Sequence, residues 1–181
     1  VMTNSFPATT LKLQYHIHMH ALAPEVRDDG SAKTVRERIR SQQADLLLAS
    51  AHKEIVQAVR TGAQQVIYFA QDKEFLRDLS RALVAPDDDG SPTLLAEDEV
   101  AILDSSVPAN RRKRLVQETE RDAKKVFLMT SSGARGVSFP KATTIIACVP
   151  RFNIESSLME VAQLIYRGRG DFHDPATGRP V

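Results

Sequence analysis

At 181 residues, 42% hydrophobic and 26% charged, the chain has the size and composition of one globular domain with a substantial core. Its net charge of +1 excludes nucleic-acid binding through overall charge, so any such contact must come from a local patch. The single cysteine excludes an intrachain disulfide and a cysteine-cluster metal site, and no run of 18 apolar residues offers a membrane span. With no leader signature at Val1, a cytoplasmic home is expected. The abrupt start and the turn-rich end DFHDPATGRPV suggest a piece of a longer protein.

In chain order, LKLQYHIHMH (11–20) alternates as a strand does, and PEVRDDGS reads as a loop. Thr34 with Glu37 predicts a capping box opening a long helix, with Val35, Ile39, Leu46, Leu47, Ile55, Val56 and Val59 near helical spacing. Gly62 supplies its stop. QVIYFAQ is a continuously apolar strand, and DKEFLRDLSRALV a helix with Phe75, Leu79 and Leu83 on one face. An acidic loop, APDDDGSPT, leads to a strand in VAILDSS. Pro108 suits the first turn of a helix running to about Asp122. KKVFLMT and ATTIIACV are strands, and IESSLMEVAQLIY is a helix.

Strands alternating with helices, and apolar on both faces, predict an α/β fold with a mostly parallel sheet covered on each side. Ligands in such folds sit at the carboxyl ends of the strands, so the loops after QVIYFA, VAILD, KKVFLMT and TIIACVP are the candidate functional positions.

The richest of these loops is TSSGARGVSFP (130–140). Three hydroxyls, at Thr130, Ser131 and Ser132, precede Gly133 and Gly136, which flank Ala134 and Arg135. Small residues with free backbone N–H groups at a strand end suit a phosphate cradle; a tight strand-to-helix turn uses the same residues. QLIYRGRGD (163–171) places Arg167 and Arg169 among glycines, as an anion-binding tip or a solvated helix end would. Gln163, four residues before Arg167, shares its helix face. NRRKRL gathers Arg111, Arg112, Lys113 and Arg114 near a predicted helix N-terminus, where the dipole disfavours them and a nucleic-acid backbone would compensate, as would Glu118 and Glu120. His16, His18 and His20 share a strand face, but no cysteine or carboxylate cluster supports a metal site there, and no metal is expected. Cys148, inside TTIIACVP, reads as a core thiol.

Taken in order, these segments resemble the second RecA-like lobe of superfamily 2 helicases. TSSGARGVSFP is similar to the motif V pattern T-D-x-A-A-R-G-[LI]-D-x-P, with Thr130, Ala134, Arg135, Gly136 and Pro140 in register. QLIYRGRG resembles motif VI, Q-x-x-G-R-x-G-R, through Gln163 and Arg167. QVIYFAQ looks like motif IV, and VAILDSSVPANRRKRL resembles V-x-x-L-H-G-x-x-x-x-x-x-R through Leu103 and Arg112. Together they cover about residues 64–171. The resemblance implies a three-layer α/β/α RecA-like lobe over 11–181, truncated or ending just after motif VI, with 1–10 as a linker from an upstream lobe. It implies ATP and Mg2+ bound mainly by that missing N-terminal lobe, and DNA or RNA as the polymer, with no membrane partner. By the same resemblance Arg167 and Arg169 face the triphosphate, Gln163 orients them, and Gly136, Arg135 and Ser138 stand at the nucleotide. Thr130, Ser131 and Arg112 meet the nucleic-acid backbone.

Several positions depart from the pattern. Ser138 stands where an acid helps hold the ribose, Tyr166 where motif VI has glycine, Gly170 where its second arginine falls, and Ser106 replaces the Asp of the H-G-D segment. They leave open a degenerate lobe acting as a binding scaffold, and, more remotely, an unrelated doubly wound domain for a phosphorylated ligand. No G-x-x-x-x-G-K-[ST] occurs, so the chain alone is expected to hydrolyse no ATP.

Overall fold

The computed structural model describes residues 14, 21–86, 94–134, 137–149, 159–163 and 165. The elements are α1 (Val35–Arg60), β1 (Gln65–Phe69), α2 (Lys73–Val84), β2 (Val100–Leu103), α3 (Ala109–Leu115), α4 (Glu118–Ala123), β3 (Val126–Met129), α5 (Ser131–Ala134) and β4 (Ala142–Ala147), with helical residues again at 159–163. The expected strand at 11–20, with its histidines, lies outside the described residues apart from Gln14, as does most of the acidic loop.

The described strands form one parallel sheet in the order β2-β3-β1-β4. β1 and β3 occupy its centre and are buried along their whole length, which is why their sequences are apolar without alternation. Side chains on one face, Val66, Tyr68, Val126 and Leu128, pack with Ile55 of α1 and Leu76, Leu79 and Leu83 of α2. Those on the other face, Ile67, Phe69, Leu103, Phe127 and Met129, pack with Leu115, Val137 and Phe139. Two cores on opposite faces of a parallel sheet make the three-layer α/β/α architecture that the sequence predicts.

The caps form where the sequence puts them. Thr34 Oγ1 accepts the Glu37 amide while Glu37 returns a carboxylate oxygen to the Thr34 amide. Gly62 ends α1 with φ +92°, in the left-handed region that glycine enters without strain. Asp72 caps α2 by accepting the Glu74 and Phe75 amides.

α1 forms as its spacing predicts, although Val35 and Leu46 are exposed and Arg40 reaches Asp72 at 2.6 Å and Glu74 at 2.9 Å. In α2 Phe75, Leu79 and Leu83 share the face that meets the core, joined there by fully buried Leu76, with Phe75 half-buried beside Tyr68. One expectation is corrected. The helix opening after Pro108 does not reach Asp122 unbroken. It stops at Leu115, Gln117 turns extended (ψ 143°), and α4 begins at Glu118. The break lets Val116 pack against the core that Leu115 enters. It also moves Arg112, Lys113 and Arg114 into the last turn of a short helix, where the dipole favours cations, so the electrostatic conflict expected from a longer helix does not arise.

Among the described residues no helix is long and apolar enough to cross a membrane, and no group of three or more metal-ligating side chains comes together. Cys148 is a half-buried free thiol packed against the α1–α2 core. Burial raises its pKa, which favours the protonated thiol.

Candidate functional site

All four described strands point the same way, so the ends of β1, β2, β3 and β4 share one edge. The polar residues gathered there are Gln71, Asp104, Ser105, Ser106, Thr130, Ser131 and Ser132.

The turn after β3 is built from the inside. Thr130 is only 4% exposed; its amide donates to the Leu103 carbonyl at 3.2 Å, which joins the turn to β2. Its hydroxyl lies 2.9 Å from the Ser132 hydroxyl and accepts the Gly133 amide at 3.4 Å, closing the single turn of α5. Gly133 presses on the end of β2: a Cβ there would stand 1.6 Å from the Leu103 carbonyl oxygen. From the other side, one Arg112 nitrogen donates to the carbonyls of Ser132 and Gly133 at 2.7 and 2.9 Å. These are among the carbonyls a helix end leaves without intrahelical partners. The four-residue α5 is thus fixed by Thr130 at its start and by Arg112 on its carbonyls.

Thr130 and Arg112, expected on the nucleic acid, direct these hydrogen bonds at the turn itself. The amides of Ser131 and Gly133 are engaged as well, by Gln71 Oε1 and Thr130 Oγ1. Residues 130–133 thus make a tight strand-to-helix turn, and Ser131 and Ser132, both half-buried, are its partly open hydroxyls. Ser138 is exposed between buried Val137 and Phe139, and its carbonyl accepts from Arg121. Gln163 is an exposed helical residue. Arg135, Gly136, Arg167 and Arg169 lie outside the described residues.

Two neighbours went unnoticed in the sequence. Asp104, immediately after β2, is 1% exposed, and its carboxylate accepts both the amide, at 2.6 Å, and the hydroxyl of Ser106. Burial acts to raise its pKa, but the Ser106 hydrogen bonds, with Lys73 and Arg77 nearby, outweigh burial and hold the carboxyl below its ordinary value. Lys73 and Arg77 themselves donate to the hydroxyls of Ser105 and Ser106, so α2 is fastened to the same turn. A depressed folded-state pKa contributes stability above the unfolded value, and that contribution is lost as pH falls through the folded one. Asp104→Asn is therefore expected to shrink the loss of stability on acidification below about pH 4, measured by thermal melts across pH. An unchanged acid limb contradicts this. The second neighbour is Gln71, two residues beyond β1. Its Nε2 donates to the Glu160 carboxylate, and its Oε1 accepts the Ser131 amide at 3.5 Å. The sequence signal for both is position alone: each is among the first polar residues after an apolar strand.

The family model described as "Helicase conserved C-terminal domain" matches residues 46–169. No curated protein gives a match. Among solved structures, the chain is similar to the C-terminal part of the Fun30 ATPase domain (17% identity over 68% of this chain and 36% of that one, TM-score 0.49). It is similar to domain 2 of the Mss116p DEAD-box helicase, bound there to an RNA duplex (23% identity, 70% and 45%, TM-score 0.46). The Pyrococcus furiosus Hef helicase domain follows, at 18% identity over 79% and 29%, with a TM-score of 0.44. The chain spans less than half the length of each of these structures.

Proposed function

The chain belongs to the helicase conserved C-terminal domain family, and we propose that it is the second RecA-like lobe of an ATP-dependent superfamily 2 helicase or translocase acting on DNA or RNA. The observation that carries this reading is the reach of the family match: it runs from Leu46 to Arg169 and so takes in both the turn after β3 and the arginine segment. ATP with Mg2+ would bind in the cleft against an upstream lobe, which supplies the phosphate loop this sequence lacks. Arg167 and Arg169 would meet the charge developing on the γ-phosphate, with Gln163 orienting them and Arg135, Gly136 and Ser138 near the nucleotide. On the polymer side, Ser131 would offer its hydroxyl to a backbone phosphate, while Thr130 and Arg112 hold the turn that presents it. Such contacts position a strand without reading its sequence.

The test is the affinity of the parent protein for a labelled oligonucleotide in the presence of a non-hydrolysable ATP analogue, compared with ADP. A motor lobe requires the two affinities to differ by about 5-fold or more. Equal affinities overturn the reading. One observation favours a second reading, a lobe kept as a binding scaffold: Ser138 is exposed where the family pattern has an acid. That reading requires turnover by the parent to be indifferent to Arg167.

A further inference from the structure

We propose that Gln71 is a positioning residue that links the turn after β3 to the helix at 159–163, and through it couples the polymer side of the lobe to the nucleotide side. The inference rests on the helicase reading above.

A glutamine amide carries a donor and an acceptor on one rigid plane. At Gln71 the two are divided between separate parts of the lobe. Nε2 donates to the Glu160 carboxylate, 89 residues away in sequence. Oε1 accepts from the backbone amide of Ser131, the first residue of α5, 60 residues away. The Gln71 backbone is itself held: its carbonyl accepts from Arg36 at 3.3 Å, and its neighbour Asp72 is both the α2 cap and the partner of Arg40. Exposed Gln71 thus sits between two anchored neighbours, with one end of its amide on Glu160 and the other 3.5 Å from the Ser131 amide.

Both elements matter to the proposed activity. Ser131 begins the turn assigned to the polymer. Gln163 lies three residues after Glu160, on the same helix face, and Arg167 follows in sequence. A shift of the turn that carried the Ser131 amide away from Gln71 would alter the bond to Glu160, and the converse holds. Linkage then requires each ligand to change the affinity for the other by the same factor.

The pairing is chemically specific, which gives a sharp test. Glu160 needs a donor opposite it, and Ser131 needs an acceptor. Gln71→Glu keeps the acceptor but sets two carboxylates face to face. Adding Glu160→Gln restores the link with donor and acceptor exchanged, since the new amide donates to the new carboxylate. The experiment measures Kd for a non-hydrolysable ATP analogue in the parent protein, with and without a saturating oligonucleotide. The ratio of the two values is expected to fall about 5-fold toward unity in Gln71→Glu and to return to within about 2-fold of wild type in the double variant. The analogue's affinity without oligonucleotide should change far less, a separation that a general loss of folding would not produce. A wild-type ratio in Gln71→Glu overturns the inference, as does failure of the double variant to recover. A wild-type parent whose ratio is already one overturns the helicase reading, and this inference with it.

Discussion

Gly133→Ala is expected to destabilise the lobe by about 3 kcal/mol, at the upper end for overpacking, and to lower its melting temperature by about 6–12 °C. The added methyl would stand 1.6 Å from the Leu103 carbonyl oxygen and 2.4 Å from its carbon. Both are backbone atoms, so no side chain can swing aside. The Leu103 carbonyl is also the acceptor for the Thr130 amide, so pushing it away disturbs the bond that joins the turn to β2. Gly62→Ala is the control. Open space surrounds that glycine, and only its φ of +92° is strained, so a loss of about 1 kcal/mol is expected. Melting of both variants beside wild type decides the matter. A Gly133→Ala midpoint within about 2 °C of wild type would show that the turn relaxes to a wider spacing without cost.

Arg167→Ala in the parent protein is expected to lower the ATP turnover number about 10³-fold, close to 4 kcal/mol of transition-state stabilisation. Arginine matches phosphate oxygens with a planar fork, and its charge does not titrate, so Arg167→Lys should recover only a small part of the loss. An interaction made in the transition state lowers kcat with little change in the affinity for ATP. The scaffold reading requires the opposite, a variant that turns over ATP as wild type does. Steady-state kinetics with both variants separates the two.

Local rules account for the parts of the fold that were legible in the sequence. The Thr34–Glu37 capping box, the Gly62 stop and the apolar runs of β1 and β3 depend on residues close together, and each forms as those residues dictate. The sheet order, with β1 between β3 and β4, is not a local property. Neither is the break between α3 and α4, which follows from where Val116 packs. Nor does helical spacing tell which apolar positions are covered: Val35 and Leu46 lie on α1 as expected and are exposed. Gln65 shows the limit most plainly. A glutamine opening an apolar strand looks like an edge residue, yet it is fully buried and donates to the carbonyls of Arg121 and Lys124.

At the candidate site, residue types were legible and geometry was not. Ser, Gly and Arg after β3 suited a phosphate cradle and a tight strand-to-helix turn equally well. That Thr130 would close the turn, that Gly133 would touch β2, and that Arg112 would clasp two carbonyls from 20 and 21 residues away all require the folded chain. Gln71 drew no attention because its two partners are remote in sequence.

The most direct test of the central claim is ATP turnover by the full-length parent, with and without single-stranded and duplex DNA and RNA, beside the purified 181-residue chain. One of these polymers is expected to raise the parent's turnover, and the isolated chain is expected to have none. Turnover indifferent to every polymer, or hydrolysis by the isolated chain, would contradict the helicase reading.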